Sequence, residues 1–225
     1  MDIPVVLIDV GIGNIRSVHK ALQSQGAQVT LTSDPQVVRS GERIVLPGVG
    51  AFGDYMSGLR AAGLDLALLE AVEAGIPLLG ICVGMQALFE YGEELGVHRG
   101  LGLIRGRVRR LPALPGAKIP HTGWNQIEIR RPGRRPCRHP AALLHGFSGG
   151  EYAYFNHSYA CQPELEQDIL LETTFSASLA DGPAAQQGRL FASGVWHENL
   201  YGVQFHPEKS QEVGLALLRN FINRC

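Results

Sequence analysis

Four strand-like runs punctuate the first 82 residues, and each leads into a turn or a stretch with helical spacing. They are IPVVLIDV (3–10), AQVTLTS (27–33), RIVLPG (43–48) and IPLLGIC (76–82). A run such as IPVVLI has no polar face, so as a strand it is buried on both sides, the habit of parallel sheets. Between the runs, IRSVHKALQSQG follows the turn GIGN with Ile15, Val18, Ala21 and Leu22 at helical spacing, and Gly26 is placed to stop the helix. DYMSGLRAAGLDLALLEAVEAG reads as helical in two pieces, and GMQALFEYG as the start of a further helix. Strand and helix in alternation predict an α/β architecture, a parallel sheet covered by helices on both faces.

The rhythm changes after residue 100. GLIRGRVRRL, NQIEIRR, YAYFNHSYAC, LLETTFSASLA, LFASGVWHE and YGVQFHP read as strands and loops. Arg130 to Pro140, with five arginines and three prolines, reads as an exposed irregular loop. QEVGLALLRNFINRC closes the chain as a helix with Val213, Leu217, Leu218, Phe221 and Ile222 on one stripe. One domain spanning 1–225 is expected, a parallel α/β half packed by a more antiparallel half.

Composition narrows the function classes. Of 225 residues 45% are hydrophobic and 18% charged, which suits a globular chain. A formal net charge of −1 gives the molecule as a whole no electrostatic case for nucleic acid or membranes. One asymmetry remains: residues 105–138 hold ten of the twenty Lys and Arg against a single acid, Glu128. That segment is either a pair of solvated basic loops or a docking or anion-binding face. Cys82, Cys137, Cys161 and Cys225 form no CxxC and no metal-ligand spacing, so neither a disulfide framework nor a metal site is expected. The apolar run of MDIPVVLIDVG is too short for a signal peptide and lacks a basic flank, and no stretch approaches eighteen apolar residues. A cytoplasmic location follows as the expectation.

The chemistry centres on LLGICVGMQ (78–86), where a cysteine stands between glycines at the point where a buried strand turns into a helix. Reactive groups gather at the carboxyl ends of parallel strands. A nucleophile on a tight strand-to-helix turn needs glycines on either side for close backbone approach. The helix N-terminus there also favours a thiolate. Packing alone is the competing explanation for a lone cysteine, and the flanking glycines weigh against it. A nucleophile needs a base and something to hold the base. FHPEKS (205–210) supplies His206 at the end of an apolar strand and Glu208 two residues on, so one imidazole nitrogen can meet Cys82 while Glu208 orients the other. For the oxyanion, the Val83 N–H directly after Cys82 is one natural donor, and PGVG (47–50) after the third strand offers another from Val49 or Gly50.

PGVG, GICVGMQ and FHPE, in that order and separation, resemble the class I glutamine amidotransferases. DVGIGNIRSV, IPHTGWN (119–125), YFNHSY (154–159) and FHPEKS together resemble the glutaminase subunits of imidazole glycerol phosphate synthase within that family. The resemblance covers nearly the whole chain, apart from Arg130 to Gly150. It implies a three-layer, flavodoxin-like α/β fold with a mixed central sheet. It implies hydrolysis of glutamine to glutamate and ammonia by Cys82, His206 and Glu208, with no metal or organic cofactor. It places Gly48, Gln86, Glu94, Ser158 and Tyr159 around the substrate, Gly50, Ser158 and Tyr159 largely through their backbone. It also implies a partner, a (β/α)8-barrel cyclase that receives ammonia through an internal channel and makes imidazole glycerol phosphate and an aminoimidazole carboxamide ribotide. Trp124, Asn125 and Lys209 match positions at or near that interface. The glycines around Val49 suggest that its peptide has more than one orientation, with the docked cyclase selecting the competent one.

Four positions depart from the family pattern: Val83 stands where leucine is usual, Val10 where tyrosine is more frequent, and Thr122 and Asn156 where apolar residues are common. Other readings fit less of the chain. Flavodoxin-related cysteine peptidases and chaperones carry a histidine directly after the nucleophile, where this sequence has Val83. Amidotransferases serving chorismate or pyridoxal phosphate synthesis should lack PHTGWN. A partner-binding scaffold without activity would be expected to have lost a member of the triad. GIGN is shorter than a dinucleotide-binding GxGxxG.

Overall fold

A computed structural model of the chain describes residues 3–11, 14–130, 140–177 and 188–225, without the side chains of 140 and 141. Most of the expected loop from Arg130 to Pro140, with Cys137, lies outside these residues. The first half follows the predicted alternation. It runs β1 (Ile3–Ile8), α1 (Ile15–Ser24), β2 (Ala27–Thr32), α2 (Pro35–Arg39), β3 (Ile44–Gly48), α3 (Phe52–Ala61), α4 (Leu64–Glu73), β4 (Leu78–Cys82) and α5 (Val83–Gln86). Then come β5 (Phe89–Gly92), β6 (His98–Arg99), β7 (Ile104–Arg110), β8 (His121–Ile129), α6 (Pro140–Leu143), β9 (Glu151–His157) and β10 (Tyr159–Pro163). The chain finishes with β11 (Ile169–Phe175), β12 (Arg189–His197), β13 (Leu200–Val203) and α7 (Gln211–Arg224).

The sheet is mixed. β2, β1, β3, β4 and β13 lie side by side and parallel, and β12, β10, β7, β5 and β6 extend the order. Off this path β11 pairs with β12 and β8, and β8 pairs antiparallel with β9. The chain steps from β1 to β2 in one direction and from β2 to β3 and β4 in the other. Right-handed crossovers therefore put α1 on one face and α2, α3 and α4 on the opposite face. α7 returns to pack against α1, burying Leu217, Leu218, Phe221 and Ile222 as the sequence stripe predicts. α1 buries Val18, Ala21 and Leu22, and Gly26 beyond its end takes φ +86°, a left-handed value that suits glycine. The core strands β4 and β13 are buried on every residue.

Two expectations need correction, and one strand reading gains detail. GMQALFEYG does not continue as a helix, because α5 is four residues long and the chain re-enters the sheet at Phe89. The carbonyls of Ala87, Leu88 and Phe89 are taken by backbone N–H groups of residues 101–104, and all three side chains are buried, so apolarity here marks the core rather than a helical stripe. YAYFNHSYAC is two strands interrupted at Ser158. β13 stops at Val203, so His206 stands beyond the strand and Pro207–Lys209 form a 3-10 turn.

The basic segment is partly neutralised from elsewhere in the chain. Arg107 and Arg109 share Glu93 at 3.6 and 3.0 Å, and Arg130 pairs with Glu166 at 2.9 Å and with Glu172. No helix among the described residues is long and apolar enough to cross a membrane.

Candidate active site

β3, β4 and β13 end side by side, and the loops beyond their carboxyl ends build one site. Cys82 closes β4 with φ 54° and ψ −112°, a backbone conformation that L-residues rarely adopt. Such a residue costs about 1–3 kcal/mol and persists only where its surroundings enforce it. The enforcement is backbone contact. A Cβ on Gly84 would lie 1.8 Å from the Leu46 carbonyl oxygen, one on Gly80 2.7 Å from the Gly84 oxygen, and one on Gly48 2.5 Å from the Gly84 nitrogen. The glycines are thus what lets β3, β4 and the first turn of α5 touch. Tyr55, wholly buried, donates its hydroxyl to the Pro47 carbonyl at 2.8 Å and so ties the PGVG segment to α3.

His206 comes from the turn after β13, which lies parallel to β4. His206 Nδ1 donates to Glu208 Oε1 at 2.9 Å, and His206 and Cys82 line the same cavity. Burial pushes the imidazole down, but the neighbouring Cys82 and Glu208 and their charges outweigh it and raise it from 6.5 to about 10. The turn is held by Ser210, whose Oγ donates to the His206 carbonyl at 2.7 Å and accepts from the Tyr154 N–H at 3.0 Å. Close packing of α7 secures it from below, since a Cβ on Gly214 would fall 1.9 Å from the Pro207 oxygen.

A cavity of about 260 Å³ opens over these groups. Cys82, Val83, His206, Glu208, Val49, Gly50, Gln86, Glu94, Ser158, Tyr159 and Lys209 all line it, so eleven of the fourteen residues singled out from the sequence meet in one place. Gly48 stands behind the wall, bordering a neighbouring space of about 20 Å³ with Asn14 and Glu208. Glu94 accepts from the Phe52 N–H at the start of α3 at 2.8 Å, which fixes its carboxylate at the cavity edge. Among the described residues no His, Cys, Asp and Glu cluster has metal-holding geometry.

The model of class I glutamine amidotransferases matches residues 6–225. The chain belongs to that family. It is 45% identical to the imidazole glycerol phosphate synthase subunit HisH of Syntrophotalea carbinolica over 96% of this chain and 98% of that one. It is 45% identical to the HisH of Moorella thermoacetica (97% and 93%) and 42% to that of Aquifex aeolicus (96% and 94%), and so groups with the HisH subunits. Among solved structures, PurLQS from Thermotoga maritima aligns over 99% of both chains with TM-score 0.71 at 20% identity. A glutamine amidotransferase from the same organism aligns over 98% and 96% with TM-score 0.62 at 13% identity. These two likenesses show the α/β fold.

The remaining residues of this amidotransferase divide by exposure. Trp124 is 39% exposed, its ring edge-on to Tyr154 at 6.1 Å, and Lys209 Nζ lies 5.7 Å from the centre of the Tyr154 ring. Asn125 is buried instead; its Nδ2 donates to His121 Nε2 at 3.0 Å and to the Thr174 carbonyl at 2.9 Å. Thr122 and Asn156, two of the departures from the family pattern, face each other across β8 and β9, with Thr122 Oγ1 donating to Asn156 Oδ1 at 3.0 Å. Each polar replacement supplies the other's partner. Reading the sequence missed Tyr55, Gln204 and Ser210, and it missed that His121 and His157 are bonded to each other. The glutamine two residues before His206 was visible, but nothing in its spacing says that it reaches the sulfur.

Proposed function

We propose that the chain is a single-domain glutaminase in which Cys82 is the nucleophile, His206 the proton carrier and Glu208 the group that orients it. The observation that carries the reading is the bonded pair His206–Glu208 and the strained Cys82 on the wall of one cavity. Glutamine enters with its α-ammonium toward the Glu94 carboxylate and the Gln86 amide oxygen, and its carboxamide over Cys82. Attack requires the Cys82 thiolate, with the proton on His206; the sulfur forms a bond to the carboxamide carbon and the carbonyl oxygen becomes an oxyanion. The Val83 N–H and the Val49–Gly50 peptide are the donors for that oxyanion, each worth about 10²–10³ in turnover. His206 then gives its proton to the departing nitrogen, ammonia leaves, and water, deprotonated by His206, cleaves the thioester to glutamate.

Ammonia released into neutral water takes a proton and loses its nucleophilicity, so the product is useful only if handed on. The chain groups with HisH subunits, and we assign its partner as a (β/α)8-barrel cyclase of histidine biosynthesis. That cyclase receives ammonia through a channel and makes imidazole glycerol phosphate and aminoimidazole carboxamide ribotide. The exposed Trp124 and Lys209, with the half-buried Tyr154 between them, support a docking face beside the cavity. Gly50 at φ +87° supports a Val49 peptide whose orientation the partner selects. A reduced Cys82 fits a cytoplasmic setting.

The test is glutamate release by the purified chain alone, with the cyclase, and with the cyclase plus its nucleotide ligand, Cys82→Ser running beside each. Activity that rises in the last mixture and falls at least about 10³-fold in Cys82→Ser is the expected result. Turnover that survives Cys82→Ser would overturn the nucleophile, and equal rates in the three mixtures would overturn partner control.

A further inference from the structure

The segment after β13 that delivers His206 carries a second side chain that the reaction above leaves without a role. Gln204 is fully buried and sits one residue past the Val203–Ile81 pairing, level with Cys82. Its Nε2 donates to Cys82 Sγ at 3.7 Å, and its Oε1 accepts from Gln86 Nε2 at 3.1 Å. The other hydrogen of Gln86 Nε2 goes to the Tyr159 carbonyl at 3.1 Å. Both Gln86 amide hydrogens are therefore spent within the protein, and its Oε1 is the end that faces a ligand.

The Tyr159 carbonyl is gripped from its other side as well. His157 Nδ1 donates to it at 2.8 Å. The direction of that bond is set at a distance. Asn125 donates to His121 Nε2, so His121 carries its hydrogen on Nδ1 and donates to His157 Nε2 at 3.0 Å, which leaves the His157 hydrogen on Nδ1. One chain of oriented bonds thus converges from β8 on the Tyr159 carbonyl and continues through Gln86 and Gln204 to the sulfur.

We propose that Gln204 is a positioning residue of this site: it seats the Cys82 sulfur by donating to it, and it turns the Gln86 amide so that Oε1 accepts from the α-ammonium of glutamine. The proposal rests on the glutaminase reading. An N–H aimed at a sulfur favours the negative charge that the attack requires, because hydrogen bonds to an ionised acceptor are the stronger ones. A Gln86 amide released from Gln204 is held by the Tyr159 carbonyl alone, so a flip that presents hydrogens to a cation is opposed by one bond instead of two. The two jobs belong to opposite ends of one amide, so they separate by substitution. Gln204→Glu keeps the acceptor for Gln86 and removes the donor to sulfur; Gln204→Met removes both at similar volume.

Two readouts distinguish these jobs. Alkylation of Cys82 by iodoacetamide, located by peptide mass spectrometry, reports the sulfur. The glutamine concentration that halves this rate reports the head-group site without relying on turnover. We expect about 10-fold slower alkylation in both variants, half-protection within about 2-fold of the parent in Gln204→Glu, and about a 10-fold weaker half-protection in Gln204→Met. A merely structural role would lower the melting temperature and leave the two readouts coupled. Parental alkylation in either folded variant overturns the sulfur contact, and equal shifts of half-protection in both overturn the control of Gln86. Should the methionine variant not fold, parental alkylation in the glutamate variant alone is decisive against the proposal. Glutamine that fails to protect the parent at any concentration would sink the glutaminase reading instead, and the alkylation comparison would still judge Gln204.

Discussion

Two pairs built on histidines meet the cavity wall, one through His206 and the other through His157, and are driven in opposite directions. His206, against Glu208 and Cys82, is raised to about 10. His121 is lowered by burial to about 4, and His157 to about 3 by burial and by the neighbouring His121, the Tyr159 carbonyl opposing. Burial acts against the charged form in all three. The partners decide the outcome. A carboxylate and a sulfur that can bear charge make one imidazole hold its proton, whereas an amide and a second imidazole make the other two a neutral bracket. Burial of a histidine therefore says little about its job until its hydrogen-bond partners are known.

Removing the partner that makes the difference should have the largest effect. Glu208→Gln leaves an acceptor for His206 Nδ1 but no charge; His206 should fall back toward the ordinary range, and glutamine turnover should drop by about 10²–10⁴-fold. NMR titration of the His206 ring beside the kinetic assay checks both, and a ring that still titrates near 10 would show that Cys82 alone raises it.

A smaller effect separates the two pairs by pH. His121 and His157 are neutral in the folded chain and titrate below the unfolded value of 6.5, so their contribution to stability is complete above pH 6.5 and is lost as the pH falls toward 3. His206 is the reverse case; its contribution is complete below pH 6.5 and is lost as the pH rises through about 10. Between pH 7.5 and 5 the folded chain should lose on the order of 2–4 kcal/mol in denaturant titrations through the neutral pair. The double variant His121→Phe with His157→Leu should lose less than half as much, both partners having become apolar together. An equal loss would place the acid sensitivity elsewhere.

The smallest effect concerns the frame beside the neutral pair. Thr122 and Asn156 adjoin His121 and His157 on facing strands, and a double-mutant cycle to valine should return a coupling of about 0.2–1 kcal/mol. Additive losses would mean that the two departures from the family pattern are independent.

The sequence exposes the elbow and the strand–helix alternation of the first half because both depend on local constraints. Gly80, Gly84 and Gly48 are required where backbones touch, and residues that must lack a side chain show in the one-letter code. The His206–Glu208 pairing was legible through FHPE, although its geometry comes from a 3-10 turn braced by Ser210 rather than from strand alternation. The early end of α5 was hidden because Ala87, Leu88 and Phe89 are buried whichever structure they adopt, and only pairing with residues 101–104 selects strand. The His121–His157 bond was hidden for a related reason. It depends on the register of β8 against β9, and the segment between those strands is too long to set that register as a tight hairpin turn would.

The Tyr159 carbonyl, held by Gln86 from one side and His157 from the other, bears on inhibitor chemistry. Both lone pairs are in use, so a glutamine analogue that brings an extra donor to this point must displace a bond already made. Affinity is better sought from a cation set against the Glu94 carboxylate and the outward oxygen of Gln86, leaving the carbonyl to the protein.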